Sequence, residues 1–542
     1  MSVLAYDIGT SGIKAVVVDA EGRVLASARR GYGLTTLDDG AVEQDLDAIE
    51  AALVEATREL LVDRRVVAGA IAGIGLTAQM FDLAPVDVDG RSTVPMLSWL
   101  DQRAVREADA LGVAMDRASQ ARAFGSVLTA KDVVPKILWL RDRAPAAWAG
   151  TRWLLDCKEA IVLRLTGRAV IDPAGALAFR LYDPIAGAWS SELCERLAIP
   201  LDRLPEVAPA TAIAGGLLPG IAAQLGLPAG IPVVVGAGDV PASQLGAGAT
   251  DPGDDVSLGT AVYFGITTDR PVADPAGQLG VIGHADPALW ILWLEVATGG
   301  GALSWLLRLL GDGRDPGEDV LREVDRGVAA VAGEMDGLLF APWLSGERVP
   351  VFDDRIRGAF VGLGLRHGRS HLLRALMEGV GYQMRWALEY GAAYGVPIGA
   401  IRGVGGGFIG TSWTQIIADI LGRSIGSIER PQDAAAVGAA ACALVGIGAQ
   451  PDLRFIRDRV RVERVFEPDP ARHAAHEAGF ERFRRLYGAL APLFADGIAA
   501  AGRTSPPIMP PGARPAASDP GRAGSSDGAR TDLAAVSPGV QA

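Results

Sequence analysis

The N-terminal segment alternates short apolar runs with Gly-rich turns. Residues 3–28, VLAYDIGTSGIKAVVVDAEGRVLASA, carry β-branched clusters interrupted by Gly9–Gly12 and by Glu21-Gly22, which predicts strand, turn, strand, turn, strand. Residues 45–62 change to helical spacing, and apolar strands follow at AGIGLT (72–77) and near 94–99. Such alternation predicts an α/β fold. A second unit, DDVSLGTAVYFGITT (254–268), repeats the order acidic residue, Gly-Thr, strand, so that Gly259 echoes Gly9. We therefore expect two related α/β halves facing a central cleft: an N-terminal domain over 1–248 and a C-terminal domain over 249–500, joined at GAGATDP (246–252). An amphipathic helix at about 470–500 closes the fold. Residues 503–542 are rich in Pro, Gly, Ala and Ser and hold no aromatic. They cannot bury enough apolar surface to offset chain entropy, so 501–542 reads as a disordered tail.

Composition narrows the class. A chain of 542 residues, 49% hydrophobic, can build two large cores. Its 51 basic and 64 acidic residues give a net charge of −13, which argues against a nucleic-acid binder. The long uncharged stretch at 214–238 is broken by Gly and Pro and holds Gln224, so no membrane span is expected. Three cysteines, Cys157, Cys194 and Cys442, exclude a disulfide scaffold and suit a reducing, cytoplasmic setting.

Five Gly-rich segments carry candidate chemistry. In YDIGTSGIK (6–14), Gly9 and Gly12 would let backbone N–H groups approach an anion, with Thr10 and Ser11 adding hydroxyls. Asp7 at the strand end could hold Mg²⁺, and Lys14 could reach a phosphate. In VVVGAGDVPASQLGAG (233–248), an apolar strand delivers Asp239 into small neighbours, a suitable general base for a substrate hydroxyl. The simpler alternative is a turn aspartate capping a helix that begins at Pro241. SLGTA (257–261) offers Gly259 and Thr260. ATGGGALSWLL (297–307) opens a helix at Gly300. RGVGGGFIGTSWTQIIADILG (402–422) runs Gly405–Gly407 into a helix whose buried face is Trp413, Ile416, Ile417 and Ile420. Any one could be an ordinary strand-to-helix turn, but four of one type favour phosphate handling. His473 and His476, beside Arg472 and Glu477, read as a solvated helix face.

The ordered set YDIGTSGIK, GLTAQM (75–80), LSWLDQRA (97–104), PKILWL (135–140), GAGD (236–239), SLGT, PWLSGERVPVFDDRIRGAFVGL (342–363), HLLRALMEGV (371–380) and VGGGFIGTSW resembles the FGGY carbohydrate kinases over about residues 3–490, with its nearest likeness to the xylulokinase-like branch. The resemblance implies two RNase H-like domains of the actin/hexokinase type, with Mg²⁺-ATP and a sugar in the cleft. It implies that Asp239 is the catalytic base and Asp7 the Mg²⁺-linked aspartate. Gly9, Thr10, Ser11, Gly12, Lys14, Gly259 and Thr260 would contact phosphate; Gly300, Gly406, Gly407 and Thr411 the rest of the nucleotide. Gln79, Met80, Phe81, Trp99, Asp101 and Arg103 would line the sugar pocket with Asp239. Two positions depart from the branch: Phe81 stands where it carries His, and Val240 where it carries Asn. Loss of two polar groups predicts a substrate with fewer or differently placed hydroxyls, or another pose. D-Xylulose is thus expected beside another pentulose or polyol (ribulose, glycerol or an alditol). A non-catalytic sugar- or nucleotide-binding relative is the reading from another class. A homodimer is compatible with the family.

Overall fold

A computed structural model describes residues 1–495 except 38–39, 259–262, 273, 275–277, 312–317, 332–334, 352, 354 and 405–410. The expectations for Gly259, Thr260, Gly406, Gly407 and the tail lie outside the described residues.

The first apolar runs form an antiparallel meander, β1 (Ser2–Ile8), β2 (Gly12–Asp19) and β3 (Val24–Gly31). The Glu21-Gly22 turn closes with Gly22 N donating to Asp19 O at 3.0 Å. Helix α1 (Leu46–Val62) starts at Asp45, whose side chain accepts from Asp47 N. Strand β4 (Ile71–Ala78) returns parallel to β1. With β5 (Ile213–Gly216), β6 (Pro232–Val234) and β7 (Ala237–Gly238), the sheet runs β5-β6-β4-β1-β2-β3, and β7 also pairs with β4. The strand expected near 94–99 shrinks to Met96–Leu97 in a separate small sheet, because the chain turns where Asp101 N donates to Ser98 O (2.9 Å). Helices α2 (Val133–Arg143) and α3 (Cys157–Thr166) lie between β4 and β5 in the chain.

The second half repeats the plan. Strands β8 (Asp255–Leu258), β9 (Tyr263–Thr268), β10 (Gly280–Gly283), β11 (Trp290–Glu295), β12 (Ile401–Val404), β13 (Ile425–Ile428) and β14 (Val462–Phe466) lie in the order β10-β11-β9-β8-β12-β13-β14. β8 is antiparallel to β9 and parallel to β12, just as β1 is antiparallel to β2 and parallel to β4. The echo between the two Gly-Thr turns is therefore an echo of topology.

Helix α4 (Asp239–Gly246) begins two residues earlier than Pro241, with Gly238 as its cap. Asp239 is thus inside the first turn and not its capping residue, which corrects the simpler sequence reading. Helices α5 (Gly300–Leu310), α6 (Arg369–Ala392), α7 (Thr411–Leu421), α8 (Ala434–Gly446) and α9 (Pro470–Ala495) complete the elements used below. Each sheet has its own apolar core. A third cluster joins them: Val3, Ala5 and Val16 of the first sheet pack on Ala436, Ala439 and Leu444 of α8. In α7, Trp413, Ile416, Ile417 and Ile420 are all buried, the face their spacing predicts.

Two minor expectations change. His473 Nδ1 meets the Asp419 carbonyl at 2.8 Å, and His476 Nδ1 meets Tyr382 Oη at 2.9 Å. These rings face α6 and α7, not open solvent, and burial pushes His476 down to about 4. The three cysteines are free and buried. Among the described residues, no helix is long and apolar enough to cross a membrane.

Candidate active site

Strand register brings the key carboxylates together. Asp7 pairs with Thr77 across β1 and β4; Thr77 and Ala78 pair with Ala237 and Gly238 across β4 and β7. All three strands are parallel, so Asp7, Gln79 and Asp239 emerge at one edge, the carboxyl ends of the strands. This is where open α/β sheets place ligands.

Asp239 is partly exposed at the start of α4, and its Oδ1 accepts from Val240 N at 2.8 Å. Desolvation, with the negative charge of Asp7, raises its carboxyl to about 7. A carboxylate so tuned is a far better base than an ordinary surface aspartate. Burial raises Asp7 as well, opposed by Lys14 and Arg29. Two mutually repelling carboxylates in one cleft are a setting that a cation relieves. Among the described residues, no three His, Cys, Asp or Glu side chains form a metal cage. A pair of carboxylates is a donor set that Mg²⁺ can take, with phosphate and water completing its shell.

The 9–12 turn holds its shape through Gly9 N donating to Gly12 O (3.0 Å), with Ser11 exposed. Gly12 has a further reason to be glycine: a Cβ there would stand 2.5 Å from the Arg30 carbonyl on β3. Lys14, expected to reach for a phosphate, is instead buried against Asp433 Oδ1 (3.1 Å) and donates to the Gln432 carbonyl. Its Nζ stands 4.0 Å from Asp7 Oδ2. It ties β2 to the segment that leads into α8.

The expected sugar wall divides in two. Gln79 and Met80 are buried, and Trp99 is 36% exposed, with its Nε1 donating to Thr10 Oγ1 at 3.0 Å. Phe81 adopts φ +68, held there because its N donates to Asp156 Oδ2 (3.0 Å) and its O accepts from Lys136 Nζ (2.8 Å). Asp101 is fully buried, accepting from Val42 N (2.7 Å) and from Arg103 Nε (2.8 Å), while Arg103 also reaches Glu43 and lies over Trp139. These two brace the wall from behind. On the other half, Gly300 opens α5 and Thr411 opens α7 as an exposed first residue.

Sequence reasoning missed several groups here. Asp82 is fully buried, and its Oδ1 accepts from Trp99 N at 2.6 Å. Lys136, also fully buried, donates to the carbonyls of Phe81 and Ser98 at 2.8 Å each. A lysine inside the apolar run of α2 was the available signal. Tyr263 packs with Met80 and Val240 and stacks on Trp293 at 4.3 Å; its buried hydroxyl has no hydrogen-bond partner among the described residues. Glu347, inside the SGER run, accepts from Ala297 N (2.9 Å) and Arg348 N (2.8 Å), and burial pushes it up to about 8. It fixes the loop that leads into α5.

Two duplicated sheets, a cleft edge with paired carboxylates and Gly-rich turns at the strand ends together define a nucleotide-dependent phosphotransferase architecture. The profile of the FGGY family of carbohydrate kinases, N-terminal domain, matches residues 2–246, and that of its C-terminal domain matches residues 255–447. The chain belongs to the FGGY family of carbohydrate kinases and is a sugar kinase of that family. It is 29% identical over 499 residues to a xylulose kinase of Escherichia coli (strain K12), covering 91% of this chain and 100% of that one. It is 27% identical over 503 residues to a gluconokinase of Bacillus licheniformis, covering 91% and 94%. Among solved structures, a xylulose kinase from Rhodospirillum rubrum superposes with a TM-score of 0.82 at 28% identity, covering 91% and 100%.

Proposed function

We propose that this chain phosphorylates the primary hydroxyl of a ketopentose, D-xylulose first among candidates, with ATP as donor. Full-length similarity to xylulose kinases supports the substrate class. The observation that carries the chemistry is Asp239, a cleft carboxyl raised to about 7 at the meeting point of three strand ends. Asp239 accepts the hydroxyl proton as the sugar oxygen bonds to the γ-phosphorus. The bond from that phosphorus to the β–γ bridging oxygen breaks, and ADP leaves. Gly9, Thr10, Ser11 and Gly12 offer N–H and O–H donors to the phosphates, and Gly300 and Thr411 contact the nucleotide from the second half. Gly259, Thr260, Gly406 and Gly407 keep the nucleotide role that the family resemblance gives them. Lys14 acts by fixing Asp7 and Asp433, not as a free phosphate ligand. Asp7 would hold Mg²⁺, directly or through water; when bound, the ion offsets charge on the transferred phosphoryl group. Closure of the halves would exclude water. The setting we infer is cytoplasmic.

A second acceptor class is favoured by one observation. Met80, Phe81, Val240 and Tyr263 make the floor beside Asp239 largely apolar, and a gluconokinase stands among the relatives. A coupled ADP-release assay with Mg²⁺ separates the readings: D-xylulose, L-xylulose, D- and L-ribulose, gluconate, glycerol, erythritol and C5–C6 alditols, with Asp239→Asn as control. Turnover with D-xylulose that Asp239→Asn abolishes supports the proposal. Turnover with another acceptor alone replaces the substrate, and silence across the panel overturns the kinase reading.

A further inference from the structure

Helix α4 leaves the first sheet, yet the second half holds it on two sides. On one side α8 presses against its backbone at Ala242 and Gly246. On the other it meets β9. Val240 and Gln244 lie four apart on α4 and share a helix face; Tyr263 and Gly265 lie two apart on β9 and share a sheet face. Four helical residues rise about 6 Å and two strand residues about 6.7 Å, so the two spacings match. Val240 packs with Tyr263 in one apolar cluster, and Gln244 Nε2 donates to the Gly265 carbonyl at 2.6 Å.

Gly265 is a notch shaped for that amide. A Cβ there would stand 1.8 Å from Gln244 Nε2 and 3.1 Å from Ile291 Cγ2. Gly265 lies inside the second sheet, paired with Val256 on β8 and Trp293 on β11. The bond therefore runs from the helix that begins with Asp239 to a strand beside β8, which leads into Gly259. The Gln244 carbonyl also accepts from Ala249 N (3.0 Å), in the joint between the halves.

Stability alone does not explain this side chain. Gln244 is fully buried, and its Oε1 has no hydrogen-bond partner among the described residues. A carbonyl only accepts, so the amide must turn its NH₂ to Gly265 and strand its oxygen. A stranded buried acceptor costs at least as much as one ordinary hydrogen bond returns. An apolar side chain of equal size would hold the fold as well or better. What the amide adds is direction, since a hydrogen bond fixes distance and angle where an apolar contact can slide.

We propose that Gln244 is a positioning residue for phosphoryl transfer: its amide fastens α4 to β9 and so keeps Asp239 in place against the half that carries Gly300 and Thr411. The catalytic part rests on the kinase reading above; the fastening does not. Gln244 lies five residues along the chain from Asp239 and acts through the helix. A displacement of about 1 Å at a reacting group can cost about a hundredfold in rate. Releasing one of two holds on α4 should cost less, about tenfold.

The test uses the whole protein. Gln244→Met keeps the volume and removes both the donor and the stranded oxygen. Its urea midpoint should hold or rise. Its kcat should fall about tenfold, with KM for sugar and ATP within about twofold. Hydrogen–deuterium exchange across 239–246 should run about tenfold faster. Gly265→Ala pushes the amide out of the notch and should lower kcat alike. Added to Gln244→Ala it should lower kcat no further, because the truncated side chain leaves the notch free. Unchanged kcat or unchanged exchange in Gln244→Met overturns the proposal. So does a urea midpoint that falls in step with kcat, which would make Gln244 an ordinary core residue. The Gln244→Met result stands even where Gly265→Ala fails to fold. A wild-type protein that phosphorylates no sugar overturns the kinase reading, while faster exchange in Gln244→Met would still show the fastening.

Discussion

Gly246 and Gly438 let helices of opposite halves touch backbone to backbone. A Cβ on Gly246 would stand 1.8 Å from the Ala434 carbonyl, and one on Gly438 would stand 1.9 Å from the Ala242 carbonyl. The helix that begins with Asp239 is therefore clamped at its far end by α8 from the other half. The seam that joins the two cores is also the seat of the proposed base.

Gly246→Ala and Gly438→Ala should each destabilise the chain by about 2–3 kcal/mol, because neither backbone can retreat without shifting a helix. Urea midpoints with unchanged slopes would show this. The same substitution at Gly301, where a Cβ meets nothing within 4 Å, should be near neutral or stabilising.

Asp239→Asn should abolish phosphoryl transfer, leave ATP binding within about threefold, and raise the melting temperature by on the order of 1–3 °C. The gain follows from linkage. The folded carboxyl sits at about 7 against an ordinary 3.8, so ionising it opposes folding. That cost is absent below about pH 3.8 and complete above about pH 7. Calorimetry of both proteins across this window would show the difference growing as pH rises.

The pH profile of kcat/KM should have an acidic limb near 7, falling about tenfold per pH unit below it, since only the ionised Asp239 accepts a proton. A limb near the ordinary carboxylate value would mean that Asp239 is not tuned by its burial.

Asp433→Ala removes the partner of buried Lys14, whose Nζ lies 3.1 Å from Asp433 Oδ1, and of Arg430, 2.6 Å away. The expected loss is about 3 kcal/mol, because the buried ammonium keeps only the more distant Asp7, 4.0 Å away, and the Gln432 carbonyl. A double-mutant cycle with Lys14→Met should recover part of it, and a fully additive cycle would show the pair to be uncoupled.

Tyr263→Phe tests the apolar floor. The hydroxyl is buried without a partner among the described residues and within the field of Asp239. A sugar hydroxyl that pairs with it would make KM for the sugar rise about tenfold in the variant, while the melting temperature of the sugar-free protein holds or increases. An unchanged KM would place the sugar elsewhere.

The placement of the candidate residues at one sheet edge was legible because they lie on local, punctuated sequence. Asp7 and Thr10 sit where an apolar strand runs into a Gly-rich turn, and Asp239 follows an apolar strand and a Gly-Ala-Gly run, patterns that a short window carries. The buried face of Trp413, Ile416, Ile417 and Ile420 was equally readable, since helical spacing is a property of a dozen residues. The Met-Phe and Asp-Val pairs at 80–81 and 239–240 marked where the floor becomes apolar.

What sequence determined by itself was the duplicated α/β plan, its Gly-Thr turns and the family membership they signal. Only the tertiary structure decided which charges meet. Lys14 looks free beside its turn, yet Asp433, more than four hundred residues along the chain, takes its ammonium. Asp82 and Lys136 appear as isolated charges in apolar runs, and folding places both within one buried polar network with Ser98 and Trp99. Local propensity cannot encode such pairings, because the energy of a buried charge depends on partners and burial that exist only once distant segments have packed.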